Sequence, residues 1–439
     1  SAALCPGLSK GLRGICKLHD TRDGLPQLAS SFYTEIMLPN SHKVSLFRCK
    51  HYDPSSLDSV FEQAADYAGF SDIRGAKVLL KPNILMASQA AKAVTTHPAF
   101  VAAAVRFVRS RGASEIWVGD SPGWQPAILA AKASGIYDAA LSEGALWADF
   151  REAVPHSVDS GKKLVNIPLT SWLKKTDIVI NLPKLKNHRL MTYTGAMKNL
   201  FGLIPGTAKS ALHLQYPSVR DFGEMLVDLA LSIPCFTFMD GIVAMQGEGP
   251  GSGTPYELGI MLASNSLADL DWTAVQCIGY DPHRIPYLVD AMERTWRVGQ
   301  ADGPDTIPEP HTAPLHPSEI SHQGFELLPY QSELEQKLTG VPSRFRARAA
   351  SLIRLRPIFH ESKCIGCGAC VRICPPKVLS LDSKHRNHRV RIDDSRCITC
   401  FCCHEVCPEK AISIGRVPFR IWHRSLHKAS HSEKPGEIS

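Results

Sequence analysis

Nowhere in its 439 residues does this chain hold eighteen apolar residues in a row. The best candidate for a membrane span, about Ala99 to Val108, is broken by Arg106, so no transmembrane helix is expected. No G-K-[ST] follows the glycine-rich stretch at 247–253, which excludes a P-loop. That stretch also fails the G-x-G-x-x-G spacing of a dinucleotide site. The chain has no nucleophile elbow and no zinc-protease motif, so hydrolase chemistry has no support. Its basic residues are not interleaved with a stacking platform or a nucleic-acid motif, so no nucleic acid is expected as a partner. No disulfide framework is visible either. Six of the fourteen cysteines (Cys5, Cys16, Cys49, Cys235, Cys277 and Cys402) are scattered without pattern. Scattered thiols suit a reducing, cytoplasmic compartment. The apolar fraction of 44% and charged fraction of 21% are those of a globular protein. The length suggests two or three domains.

The other eight cysteines carry the strongest signal. Cys364, Cys367, Cys370 and Cys374 read C-x2-C-x2-C-x3-C-P, and Cys397, Cys400, Cys403 and Cys407 repeat it. This is the two-cluster spacing of bacterial ferredoxins. Three thiolates on one tight loop can wrap three corners of a cubane, and the fourth must come from the other run. One [4Fe-4S] cluster is therefore assigned to Cys364, Cys367, Cys370 and Cys407. The other takes Cys397, Cys400, Cys403 and Cys374. Zinc sites would need two C-x2-C pairs instead of these triplets. Pro375 and Pro408 turn the chain after each fourth ligand. Cys402 reads as a bystander packed beside a cluster, with an alternative ligand as the sharper reading.

Charge is unevenly placed. The net +7 resides in residues 341–439, which carry 19 Lys/Arg against 8 Asp/Glu; the rest of the chain is slightly acidic. A basic shell raises a cluster's potential and suits an acidic redox partner protein. Residues 1–42 form an N-terminal extension, with Leu4, Leu8, Leu12 and Ile15 near one helical face. A transit-peptide relic, a docking helix or a frayed extension all fit it. Residues 43–300 alternate strand and helix, which argues for an α/β domain with a mostly parallel open sheet. Pro304, Pro308, Pro310, Pro314 and Pro317 punctuate the start of 301–355, read as a linker or insertion. Ser343–Arg356 suggests a short basic helix. Residues 356–415 form a small α+β ferredoxin-type domain, and 416–439 a basic tail. In that tail Pro418 opens a helix that either docks a partner or caps the ferredoxin domain.

In an open α/β sheet, ligands bind beyond the carboxyl ends of the strands. One strand here runs into Lys81-Pro82-Asn83 and another into Gly119-Asp120-Ser121. DIVINL (Asp177–Leu182) runs into Pro183-Lys184-Leu185-Lys186-Asn187-His188. CFTFM (Cys235–Met239) runs into Asp240-Gly241 and the glycine-rich stretch with Gly249 and Gly251. Thr96 reads as the N-cap of a helix from Pro98, with His97 beside it. Lys81, Lys184, Lys186, Lys198, Lys209, His188 and His213 would together suit a small anionic ligand. The glycine-rich stretch reads as a mobile turn, a lid or an anion-contacting loop. Asp120, Asp240 and Asp271 are the acidic candidates, though turn and cap roles are the commoner use of residues placed like Asp120 and Asp240.

These segments resemble the family called domain of unknown function 362, with a fused ferredoxin. The carrying residues are KPN (Lys81–Asn83), TTHP (Thr95–Pro98), GDSPG (Gly119–Gly123), NLPKLKNH (Asn181–His188), TGAMKNLFGLIPG (Thr194–Gly206) and DGIVAMQGEGPGSG (Asp240–Gly253). The resemblance implies a cytoplasmic iron–sulfur protein of redox metabolism and assigns no activity. The leading expectation is an oxidoreductase. It would pass electrons through two clusters to an anionic substrate or an additional organic redox cofactor. Lys81, Asn83, His97, Asp120, Ser121, Lys184, Lys186, Lys198, Asp240, Gly249 and Gly251 would line that site, and His188 or His213 would donate a proton. The alternative is a non-catalytic electron relay or assembly factor whose α/β domain binds a partner protein. A closed pocket would favour the first and a flat crevice the second. No oligomeric state is assigned.

Overall fold

Side-chain alternation along the strands decides the architecture. In the segment Lys77–Pro82, Val78 and Leu80 join one hydrophobic core while Leu79 joins another. Ile178, Ile180 and Val179 divide the same way. A strand buried on both faces needs cover on both, so the sheet lies between two layers of helix.

The computed structural model describes residues 42–123, 125–206, 208–296, 307–330, 355–382 and 389–415. The first strands are β1 (Lys43–Arg48), β2 (Lys77–Pro82), β3 (Glu115–Val118) and β4 (Leu146–Trp147). A separate hairpin of β5 (Ala153–Ser157) and β6 (Asn166–Thr170) follows. Then come β7 (Ile178–Leu182), β8 (Lys184–His188), β9 (Thr192–Thr194), β10 (Phe236–Gln246), β11 (Thr254–Ser264) and β12 (His311–Pro314). The ten-stranded sheet runs β12-β1-β11-β10-β7-β2-β3-β4, with β8 beside β10 and β9 beside β8. The half from β10 to β4 is parallel, and β11 is antiparallel to both its neighbours. The expected mostly parallel open sheet is present, as a mixed one.

One face is covered by the helices Pro54–Ala68 and Pro98–Ser110 over a phenylalanine cluster that includes Phe61, Phe100 and Phe238. The other is covered by Val219–Leu231, Leu267–Cys277 and Pro286–Trp296. The helix expected from Pro98 forms, but its N-cap is His97, whose ring accepts from the Ala99 amide. Thr96 does other work: its hydroxyl donates to the Leu182 carbonyl at 2.7 Å and accepts from the Asn83 amide at 2.8 Å. It thereby ties the ends of β2 and β7 to the helix start.

Two expectations need correction. The segment after DIVINL does not leave the sheet. Pro183 interrupts the strand, and β8 then continues alongside β10. Likewise CFTFM does not end at Asp240: β10 runs on to Gln246 through a bulge between Gly241 and Val243. The proline-rich stretch is also more than a linker in its described part. Residues 311–314 add β12 to the sheet edge, where a proline costs no ladder bond, and Ile320 and Leu328 are buried against the domain. The expected helices in the N-terminal extension and after Pro418 lie outside the described residues, as does the one at Ser343–Arg356 except for its last two residues, where Arg356 opens a strand.

The C-terminal domain pairs β13 (Arg356–Phe359) with β16 (Ile412–Gly415) and β14 (Leu379–Asp382) with β15 (Arg389–Ile392), both antiparallel. The short helices Ala369–Ile373 and Cys402–Glu405 lie between them in the chain. This is the expected small ferredoxin-type α+β unit. Gly366 and Gly368 take left-handed backbone conformations between the first three cysteines. Thr399 and Phe401 take the same conformations at the equivalent places of the second run, where a side chain is normally disfavoured.

Candidate functional site: a cleft between lysines and the ferredoxin domain

The eight run cysteines line two cavities in the C-terminal domain. One is walled by Cys364, Cys367, Cys370 and Cys407 and the other by Cys374, Cys397, Cys400 and Cys403. Each run contributes three cysteines to one cavity and one to the other. All eight are free of disulfides, and the walls between them are almost wholly apolar. Four convergent thiols around an apolar void fit a [4Fe-4S] cluster, so the residues present suit the group the spacing implies. Cys402 lines neither cavity. It faces the α/β domain.

There it meets a cleft of about 790 Å³ including its mouth. Parallel strands with aligned carboxyl ends build the opposite wall. Leu80 pairs with Val118 on one side and with Ile180 on the other. The residues just beyond are therefore neighbours. Lys81 Nζ lies 2.7 Å from Asp120 Oδ1, fully buried. Asp120 also accepts from the amides of Ser121 and Ile84, so both its oxygens are engaged. Asn199 joins this group: its side chain donates to Asn181 and to the Lys81 carbonyl and accepts from Asn83.

Three further lysines face the cleft without touching a carboxylate. Lys186 Nζ donates to Asn83 Oδ1 (2.6 Å) and to the Val94 carbonyl (2.8 Å). Lys209 donates to the Ser121 carbonyl. Lys198 makes no hydrogen bond or ion pair among the described residues. Burial, with help from neighbouring lysines, lowers Lys186 and Lys209 to about 7. Burial lowers Lys198 as well. The ferredoxin side contributes Ile373, Cys402, Glu405 and Val406. His213 also lines the cleft, stacked on Phe222 at 4.3 Å, with no hydrogen bond to its ring nitrogens among the described residues.

His188 bridges the two domains. Its Nδ1 accepts from the Leu190 and Met191 amides, which places the proton of the neutral ring on Nε2. Nε2 lies 3.2 Å from Glu405 Oε1, close enough for an ion pair but off the line of a hydrogen bond. Burial holds His188 down at about 4. Burial would raise Glu405, but His188 and Lys198 outweigh it and hold the carboxyl at about 2. The pair therefore stands as a carboxylate beside a neutral imidazole.

Residues 78–276 match the profile of a domain of unknown function, DUF362, and residues 363–411 that of a 4Fe-4S dicluster domain. The thylakoid-associated protein sll1697 of Synechocystis sp. is 34% identical over 257 residues, covering 57% of this chain and 78% of that protein. The chain belongs to the DUF362 family. Its dicluster domain gives it 4Fe-4S electron-transfer capacity. Among solved structures, the lactate racemase apoprotein of Thermoanaerobacterium thermosaccharolyticum aligns at 12% identity with a TM-score of 0.32. That alignment spans 52% of this chain and 55% of that one, a likeness too slight to bear on function. Among the described residues, no helix is long and apolar enough to cross a membrane.

Not every residue expected at the DUF362 site reaches the cleft. The alternation of β8 puts Lys184, Lys186 and His188 on one strand face, yet their ends go to three different places. Lys184 Nζ binds Asp240 Oδ2 at 2.8 Å and the Tyr52 hydroxyl at 2.9 Å. Tyr52 donates to Asp240 Oδ1 and stacks on His97, whose amide also donates to Asp240. Lys184, Asp240 and His97 thus form a second, internally satisfied cluster with Tyr52, outside the cleft lining. Gly249 and Gly251 do not line the cleft and sit where the backbone packs closely. A Cβ on Gly249 would sit 2.1 Å from the Asn187 carbonyl oxygen, and one on Gly251 would sit 2.5 Å from that of Glu405. The glycine-rich stretch is therefore the seat of the ferredoxin domain, with Lys410 donating to the Gly253 carbonyl beside it. Gly251→Val should push the two domains apart. We expect faster proteolysis between them, with cluster content unchanged, as read by limited digestion and iron analysis.

Sequence reasoning missed Glu405, Asn199 and Tyr52. Glu405 lies between two cluster cysteines, and nothing local marks it. Asn199 stands within the TGAMKNLFGLIPG segment, where its charged neighbour Lys198 drew the attention.

Proposed function

We propose that this DUF362 protein is an iron–sulfur oxidoreductase whose electron acceptor or donor is an anion held in the interdomain cleft. The observation that carries this reading is the composition of the cleft walls. Lysines of the α/β domain stand on one side, and Cys402, Ile373 and Val406 of the ferredoxin domain stand on the other. A ligand there touches the cation cluster and the cluster-bearing domain together. The two cysteine cavities would hold clusters on the crossed sets described above; bound there, [4Fe-4S] clusters supply one-electron transfer. Lys186, Lys198 and Lys209 would bind and orient the anion, with Lys81 and Asp120 fixing the floor beneath. His213 is placed to hand over or receive a proton at a ring nitrogen, since no described residue occupies either one. His188 is better read as a positioning residue, engaged with Glu405 across the domain boundary. A recessed cleft favours this reading over a partner-binding relay. The basic balance of residues 341–439 supports an acidic redox partner, and the free thiols support a reducing, cytoplasmic setting.

The test is anaerobic. Protein reduced with dithionite and freed of excess reductant is mixed with a panel of carboxylates, phosphate esters and anionic flavins or quinones. Recovery of the oxidised cluster spectrum reports electron transfer. We expect at least one anionic acceptor to be reduced, and Lys198→Met and Lys209→Met each to slow that step by about tenfold or more. Wild-type rates in both variants would remove the cleft from the reaction.

A further inference from the structure

The donor inventory of the cleft goes beyond a general preference for anions. A lysine ammonium has three N–H donors. Lys186 spends two on the Asn83 side chain and the Val94 carbonyl, Lys209 spends one on Ser121, and Lys198 spends none on a described residue. The hydroxyl of Ser210 also lines the space. Against these donors the cleft offers two carboxylates. Both oxygens of Asp120 are taken up by Lys81 and two amides, and Glu405 lies against the His188 ring. The three lysines come from three separate elements, β8 and the helices Ala196–Asn199 and Ala208–Gln215. Three ammonium groups from three separate elements match a group with several equivalent oxygens better than a planar carboxylate.

We propose that the cleft takes a phosphate-type dianion, free or as a monoester, and that filling it draws a proton from solvent onto the lysine cluster. The proposal rests on reading the cleft as an anion site, but not on electron transfer. Its physical basis is the crowding of buried like charges. Lys186 faces Lys184, Lys198, Asp120 and Glu405, and Lys209 faces Lys81, Lys198 and Asp120. With no carboxylate in contact, an empty site is relieved when a lysine gives up its proton. A bound dianion removes that incentive, and the amine takes the proton back. Burial already holds Lys186 and Lys209 at about 7. Uptake is therefore expected above neutrality and should fade below it.

Isothermal titration of the oxidised, cluster-loaded full chain with inorganic phosphate at pH 8, in HEPES and in Tris, measures both parts. At that pH phosphate is mostly dianionic. We expect saturable binding with uptake of about one proton per site. Sulfate, dianionic throughout, should show the same uptake at pH 8 and much less at pH 6. Lys198→Met should weaken phosphate by about tenfold or more, and its lack of a described partner spares the fold. Lys209→Arg, which keeps the charge but cannot release it, should retain binding and reduce the uptake. A monoester that outcompetes inorganic phosphate identifies the ester form, and the reverse identifies the free ion. The proposal is overturned if neither phosphate nor sulfate saturates the site, if malonate binds and phosphate does not, or if binding heats are the same in both buffers. Phosphate binding without any reducible acceptor would sink the oxidoreductase reading and leave this one standing.

Discussion

Cys374→Ala should cost the protein the cluster of the second cysteine triplet and spare that of its own run. Cys407→Ala should do the reverse. The reason is the crossed lining of the two cavities: Cys374 closes the one shared by Cys397, Cys400 and Cys403, and Cys407 closes the other. A triplet left with three thiolates binds its cubane weakly or loses an iron corner. We therefore expect each variant to lose up to about half of its iron and sulfide. EPR of the reduced protein separates the two outcomes. Wild type should show the broadened signal of two interacting clusters, and each variant a single-cluster signal. Combining Cys374→Ala with Cys397→Ala, which both wall one cavity, should remove no more iron than the worse single change. Combining Cys374→Ala with Cys364→Ala should strip both sites. Additivity in the first pair would overturn the crossed assignment.

The convergence of the cysteines on two cavities was legible in the sequence because three of the four expected ligands of each follow from spacing along one local loop. The lysine cleft was legible only in part, and the reasons are physical. Lys81 and Asp120 were readable as residues beyond strand ends, and the parallel register of β2 and β3 brings them together. The second strand in the K-L-K-N-H segment was not legible because Lys and Asn are poor strand formers and Pro183 reads as a stop. Tertiary partners override that tendency: Asp240, Asn83 and Glu405 each receive one of its three inward side chains. Glu405 could not have been found from its own neighbourhood, since its partner His188 is more than two hundred residues away. The glycines of the 247–253 stretch were visible, but their purpose lay in backbone approach to Asn187 and Glu405. Asp271 is a similar case. It accepts from the Ala196 and Met197 amides at the start of the short helix that presents Lys198. Burial pushes its carboxyl up to about 6.

The division of the polar residues into two clusters gives the second large expected effect. Asp240→Ala should destabilise the protein by about 3–5 kcal/mol, because it strands Lys184 in a site where that side chain is 1% exposed. The loss has little to do with the strength of the ion pair in isolation. Asp240 also receives the Tyr52 hydroxyl and the His97 amide, and those donors lose their acceptor at the same time. Asp240→Ala combined with Lys184→Met removes the stranded charge, so the double variant should recover a large part of the lost stability. Urea midpoints of the wild type, both singles and the double variant measure the coupling. If this cluster only secures the fold, the double variant should bind phosphate and exchange electrons as the wild type does, because neither residue lines the cleft. A refolded, stable double variant that had lost phosphate binding would instead make Lys184 and Asp240 part of the anion site, and the boundary between the two clusters would have to be redrawn.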